Sequence, residues 1–203
     1  MQPFSVPAEP VIFSEEIKKS RFITLLARTE GVEAAKAFIQ EIRNQHPAAR
    51  HHCWAFVAGA PDDSQQLGFS DDGEPAGTAG KPILSQLMGS GVGEITAVVV
   101  RYYGGIMLGT GGLVKAYGGG VQQALKQLVV QQKVPLAEFA VQCDYSQLQL
   151  VETLLSQVGG HILRSEFGAA VDLVLALPAA DAPATVSHLF DISRGTLILR
   201  PVS

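Results

Sequence analysis

The spacing of hydrophobic positions changes along this chain in a way that marks out strands and helices before any motif is considered. From Ile95 to Tyr102 the run ITAVVVRY is β-branched with no polar alternation, the pattern of a strand buried on both faces. From Leu113 the apolar positions fall at Leu113, Tyr117, Val121, Ala124, Leu125 and Leu128, a helical spacing with one apolar stripe. Between the two lie Gly104, Gly105, Gly109, Gly111 and Gly112, so the stretch predicts a strand, a glycine loop and a helix. Gly118, Gly119 and Gly120 fall inside that helix, where each costs about 1 kcal/mol relative to alanine. Their presence predicts a neighbour packed close against the helix backbone.

Upstream, VIFSEEIKKSRFITLLARTEG predicts two strands joined at Lys18, Lys19 and Ser20. Gly31–Gln45 predicts an amphipathic helix with Ala35, Phe38, Ile39 and Ile42 inward, stopped by Pro47. Arg50–Ala60 alternates as a strand, with His51, Cys53, Ala55 and Val57 on one side and His52, Trp54 and Phe56 on the other. Pro82 suits the first turn of a short helix, ended by Gly89 or Gly91. The residues before Val11 read as a proline-marked lead, and QQKVPL from Gln131 as a linker. Beyond it come a strand at Glu138–Cys143, a helix at Tyr145–Gln157, strands at His161–Phe167 and Val171–Leu177, a helix at Pro183–Phe190 and a strand at Thr196–Val202. Asp144 and Gln147 form a capping pair for the first of these helices. The order βαββαβ is the ferredoxin-like plan. The chain is therefore expected to be of mixed α/β (α+β) class, with domains at 1–135 and 136–203.

Composition narrows the class. With 203 residues, 47% hydrophobic and 17% charged, the chain buries enough surface for one or two cores. No stretch approaches the roughly twenty apolar residues of a membrane span, and MQPFSVPAEP lacks a basic-then-apolar signal pattern. A cytoplasmic location is expected, with no membrane partner. Cys53 and Cys143 fall in different predicted domains, so neither a structural disulfide nor a CxxC metal site is expected. Up to Pro135 twelve Lys and Arg balance twelve Asp and Glu, whereas from Leu136 there are three against seven. The second domain is thus acidic, which argues against nucleic-acid binding there, and no DNA partner is expected.

Candidate chemistry lies in the glycine loops. A helix N-terminus carries unpaired N–H groups that glycines leave open to an anion, although the same glycines also serve tight reversals. Neither phosphate fingerprint is met: a P-loop needs Ser or Thr after its Lys, and the dinucleotide pattern needs GxGxxG opening the helix. Gln66–Ile83 supplies a second glycine loop, with Gly73, Gly77 and Gly80 beside Asp71, Asp72 and Glu74, and Lys81 at a helix start. Those acids are suited to capping turns, pairing with Arg101 or Lys81, holding a divalent ion, or acid–base work, but their spacing is not the calcium-loop pattern. Adjacent His52 and Cys53 point apart and cannot form a nucleophilic pair, and His51 with Cys53 is two ligands, not a metal site. No catalytic residue, metal or cofactor is assigned.

The strings RHHCWAF, SDDGEPAGTAGKPIL and VVVRYYGGIMLGTGGLVKAY, in that order and spacing, resemble the signature of the IMPACT family over about Ser20 to Ala124. The remaining domain is similar to the one that bacterial members carry. The resemblance implies an N-terminal half with the fold of a small-subunit ribosomal protein's second domain and of elongation factor G's domain four. It implies a C-terminal half like that factor's ferredoxin-like last domain. Eukaryotic relatives act as translational regulators that bind the activator of the stress kinase acting on an initiation factor. The function so implied is a non-enzymatic regulator of translation or stress response, with RNA, the ribosome or a protein of the translation machinery as partner. Anion or RNA contact then falls to Arg50, His51, Lys81, Arg101 and Lys115, and to the loop positions Gly77, Thr78, Gly80, Gly104, Gly105, Gly109, Gly111 and Gly112. Two alternatives stand beside it: a nucleotide- or phosphate-binding enzyme of the small-molecule-kinase type, whose fold the resemblance also allows, and a protein-docking module.

Overall fold

In the computed structural model, which describes residues 1–202, the apolar run at 95–102 becomes the middle strand of a five-stranded sheet. The elements around it are β1 (Phe4–Pro7), β2 (Val11–Ile17), β3 (Ser20–Arg28), α1 (Val32–Gln45), β4 (His51–Val57), β5 (Leu67–Ser70), α2 (Gly80–Ser90), β6 (Ile95–Tyr102), α3 (Gly109–Lys126) and β7 (Val130–Lys133). The sheet runs β2-β3-β6-β4-β5, and β6 lies antiparallel to both neighbours, with Val99 opposite Thr24 of β3 and Cys53 of β4. One face carries Cys53, Ala55, Ala97 and Val99 against Ile83 and Leu87 of α2 and Leu113, Tyr117 and Val121 of α3. The other carries Ile23, Leu25, Phe56, Val98 and Val100 against Ala35, Ile39 and Ile42 of α1. Helices cover both faces, which is why β6 shows no polar alternation.

Several boundaries differ from the sequence expectation. The proline-marked lead contains β1, which pairs with β7, so residues 131–133 are strand and not linker. Pro3, Pro7 and Pro10 stand outside or at the end of that strand, where their missing N–H is tolerated. Strand β5 gave no signal because it is short and contains Gly68, where a side chain would overlap the Phe56 ring. Helix α3 begins at Gly109, four residues before its first buried apolar position. Close contact accounts for one member of its glycine triplet: a Cβ at Gly120 would lie 2.7 Å from Thr24 Oγ1, whereas one at Gly118 would stand at an ordinary 3.6 Å from Pro82 Cβ. Gly119 has nothing within 4 Å.

Phe4–Gln132 forms one compact unit, and Met1–Pro3 with the residues from Lys133 onward forms a second. The second unit contains β8 (Leu136–Cys143), a 3-10 turn (Tyr145–Gln147), α4 (Leu148–Val158), β9 (His161–Phe167), β10 (Val171–Pro178), α5 (Ala182–Ile192) and β11 (Arg200–Pro201). Its sheet runs β11-β8-β10-β9 and is antiparallel throughout. Phe139, Val141, Leu173 and Leu175 pack on Val151, Leu155 and Leu189. Asp144 and Gln147 make a reciprocal capping box at the turn that leads into α4. The last strand is shorter than the expected Thr196–Val202: only Arg200 and Pro201 pair with β8, although Leu197 and Leu199 ahead of them are buried in the core. Among the described residues no helix is long and apolar enough to cross a membrane.

Candidate functional site

Strand direction gathers the three motifs at one end of the first sheet. Because β4 runs opposite to β5 and β6, its start lies beside their ends: His51 is the register partner of Arg101, and Trp54 of Ser70. Helices α2 and α3 begin just beyond those same strand ends, at Gly80 and Gly109.

The centre of this end is a buried polar network. Arg101, 5% exposed, donates from Nη1 to Glu74 Oε2 at 2.7 Å, and from Nε and Nη2 to Ser20 Oγ at 3.4 and 3.3 Å. Tyr117 Oη donates to the same Glu74 oxygen at 2.5 Å. His51 sets Nε2 3.3 Å from Glu74 Oε1, and its Nδ1 2.7 Å from the Asp72 carbonyl. A charge this deep persists only when paired and hydrogen-bonded. Arg101 is therefore buried and paired with Glu74, one of the pairings the sequence left open for the three acids. It is neutralised by Glu74 and ties β6 to the loop after β5. Ser20 Oγ also accepts from Gly104 N–H at 3.1 Å, and a side chain at Gly104 would overlap the Lys19 carbonyl.

The three acids have three different tasks. Asp71 accepts from Gly77 N–H at 2.9 Å, Ala79 N–H at 3.1 Å and Gly80 N–H at 2.8 Å, filling the N-terminus of α2 with an internal carboxylate. Burial alone would raise the Asp71 carboxyl, but the three N–H donors offset it and hold the group below its ordinary value. Thr78 N–H and Oγ1 both bond to the Pro75 carbonyl, at 3.1 and 2.6 Å. The expectation that Gly77, Thr78 and Gly80 present open N–H groups is thus corrected, because the chain supplies their acceptors itself. Asp72 accepts from His52 N–H at 2.7 Å and pairs with Arg43 at 3.3 Å, while Glu74 serves Arg101. Cys53 donates its thiol to the Asp71 carbonyl at 3.0 Å, and burial pushes that thiol far above its ordinary value, which favours the protonated form. Among the described residues, no group of three or more His, Cys, Asp and Glu side chains is placed to hold a metal ion.

Two cavities open beside this network. The first, of about 440 Å³, is lined by Arg50, His51, Glu74, Arg101, Tyr103 and Thr110, with Met107 at its edge. Arg50 sets its guanidinium 4.7 Å from the centre of the Tyr103 ring. The first turn of α3, where Gly109, Gly111 and Gly112 stand, has no side-chain cap. Gly105 has φ +88°, the left-handed turn that leads the chain toward that helix. The second cavity, of about 520 Å³, lies between α2 and α3 and is lined by Lys81, Gln86, Lys115 and Gln122 with Gly118 and Gly119. The structure thus divides the sequence candidates: Arg50, His51, Arg101 and Gly109 meet at one cavity, Gly77, Lys81 and Lys115 at the other. The partnership of Ser20 and Tyr117 with Arg101 and Glu74, and the place of Tyr103 and Thr110, went unread. Tyr117 carried only an apolar-stripe signal, and Ser20 only a turn signal.

The Impact N-terminal domain family matches residues 18–125, and a domain of unknown function (DUF1949) matches residues 141–196. The chain is 67% identical over 199 residues to the Escherichia coli K12 protein called IMPACT family member YigZ, covering 98% of each chain. It is 32% identical over 182 residues to a Thermus thermophilus IMPACT family member, covering 89% of this chain and 97% of that one. A crystal structure described as that of a hypothetical protein superposes with TM-score 0.74 at 66% identity, covering 100% of this chain and 98% of the other.

Proposed function

Because the chain belongs to the IMPACT family, we propose that it is a non-enzymatic regulator of translation or of the stress response, acting in the cytoplasm by binding RNA of the ribosome through its first unit. The observation that carries this reading is the groove between α2 and α3, where Lys81 and Lys115, from two separate motifs, line one cavity. Gly118 and Gly119 leave part of its floor without side chains, so a phosphate backbone can lie near α3 while the ammonium groups neutralise it. The even charge balance up to Pro135, twelve against twelve, leaves such a local patch uncancelled by a general acidity, whereas the acidic second unit is suited to protein contacts. The non-enzymatic part is supported by the acids: Asp71, Asp72 and Glu74 all accept hydrogen bonds from the protein's own donors.

The test is co-sedimentation with ribosomes and with ribosome-free RNA at about 50 and about 200 mM salt, the range over which phosphate contacts weaken steeply. Binding is expected to fall with salt. Lys81→Ala and Lys115→Ala should each weaken it on every sequence and flatten the salt slope by roughly 0.7–0.9 per lost phosphate contact. Absence of binding at the lower salt would overturn the RNA reading.

A further inference from the structure

The 440 Å³ cavity at the motif end holds more donors than the chain satisfies. A guanidinium carries five N–H groups. In Arg101 the Nε–H, one Nη1–H and one Nη2–H are taken by Ser20 and Glu74, which leaves one on each terminal nitrogen without an acceptor among the described residues. Such donors are costly in a residue only 5% exposed, and Arg101 lines the cavity. Arg50 lines it too: its side chain rests on Tyr103 and makes no hydrogen bond among the described residues, so its planar fork remains available. Thr110, exposed at the same wall, adds a hydroxyl.

Resting on the RNA-binding reading, we propose that this cavity takes a terminal phosphomonoester of RNA together with the nucleoside that carries it. A phosphomonoester offers three acceptor oxygens and close to two negative charges, whereas an internal phosphodiester offers two oxygens and one charge. Donors from Arg50, Arg101 and Thr110 match the first better. The charged side chains around the cavity are Arg50, Arg101 and Glu74, with His51 the titratable neighbour, so its formal sum is positive before any ligand enters. Glu74 is held by Arg101 and Tyr117, so its charge is compensated within the protein. The volume lies in the range of small-ligand sites and is too small for a length of strand. Met107, 81% exposed, supplies the apolar wall on which a base packs, while the Tyr103 ring carries the Arg50 and Arg101 guanidiniums at 4.7 and 5.2 Å from its centre and holds the two cations at the cavity.

The shared chemistry is a phosphomonoester beside a base, from an RNA end or from a mononucleotide, and the experiment separates the two. Binding is measured for one single-stranded oligoribonucleotide carrying a 5′-phosphate, a 3′-phosphate or hydroxyls at both ends, and for 5′-AMP and 3′-AMP. One phosphorylated form is expected to bind about tenfold more tightly than the doubly hydroxylated one. Arg50→Ala should remove that difference, with Thr110→Val as a second variant reducing it, while Lys115→Ala should weaken all three oligonucleotides alike. Equal affinity for the three oligonucleotides in the unaltered protein would overturn the proposal and leave RNA binding through the Lys81 groove standing. Binding of AMP that is lost in Arg50→Ala, without binding of any oligonucleotide, would keep the cavity assignment and remove the RNA reading. No binding of any of the five probes would remove both.

Discussion

Replacing Glu74 by glutamine would leave the Arg101 guanidinium, 5% exposed, beside Ser20 and Tyr117 without its counter-charge. Removing one member of a buried pair costs about 3–5 kcal/mol, because the other charge stays behind in a medium that cannot solvate it. Glu74→Gln is therefore expected to lower the unfolding free energy obtained from urea titration of Trp54 fluorescence by that amount, while Arg50→Ala, at an exposed position, stays within about 0.5 kcal/mol. A Glu74→Gln loss below about 1 kcal/mol would show that Arg101 finds solvent or another partner. Asp71, Asp72, Glu74 and Arg101 were all visible in the sequence as charged residues near glycines, yet their separate tasks were not. Strand register decides them: His51 stands opposite Arg101 only because β4 runs against β6, and nothing local indicates that Glu74 turns inward while Asp71 turns toward α2.

Elements at this end depend on internal acceptors and on missing side chains. Asp71 accepts from the first N–H of α2, at Gly80, and from Ala79 and Gly77 in the loop leading into it, so Asp71→Ala should cost about 1–2 kcal/mol. Its folded-state carboxyl lies below the ordinary 3.8, so the stabilisation is fully present above that value and is lost as pH falls through the lower one. Thermal melts should accordingly show the gap between the unaltered protein and Asp71→Asn narrowing at the acid end and constant above about pH 5. A gap that widens on acidification would contradict the capping role. In α3, adjacent glycines are expected to respond oppositely. Gly120→Ala drives a methyl to 2.7 Å from the buried Thr24 Oγ1 and should destabilise by about 1–3 kcal/mol. Gly119→Ala meets nothing within 4 Å and should stabilise by up to about 1 kcal/mol through helix propensity. Equal effects in urea unfolding would refute this account of the triplet. The close contact itself was legible, since three glycines in a helix demand a reason. The start of α3 was not, because the turn Gly109–Gly112 carries no apolar residue to mark its period, whereas Pro82 marked the first turn of α2 plainly.

At the scale of the molecule, the order of the second unit followed from its succession of strand and helix segments and from the Asp144–Gln147 capping pair, and β1 with β7 escaped because each is short and their pairing spans most of the first unit. Each unit has a core of its own, Phe22, Leu87, Val99 and Tyr117 among the residues of one, Val151, Leu155, Leu173 and Leu189 among those of the other. The chain's single tryptophan, Trp54, lies in the first unit, stacked on Phe56 at 5.6 Å between ring centres, so its fluorescence reports that unit, whereas far-UV circular dichroism reports both. Leu155, 2% exposed in α4, should cost about 2–5 kcal/mol when cut to alanine. The expected result is a split: Leu155→Ala shifts a dichroism phase to lower temperature and leaves the Trp54 midpoint in place, while Leu87→Ala in α2 moves the Trp54 midpoint. Should Leu155→Ala carry the Trp54 transition down by the same amount as the dichroism, the two cores unfold as one cooperative block, and a substitution in the acidic unit would then reach the groove between α2 and α3 through stability alone.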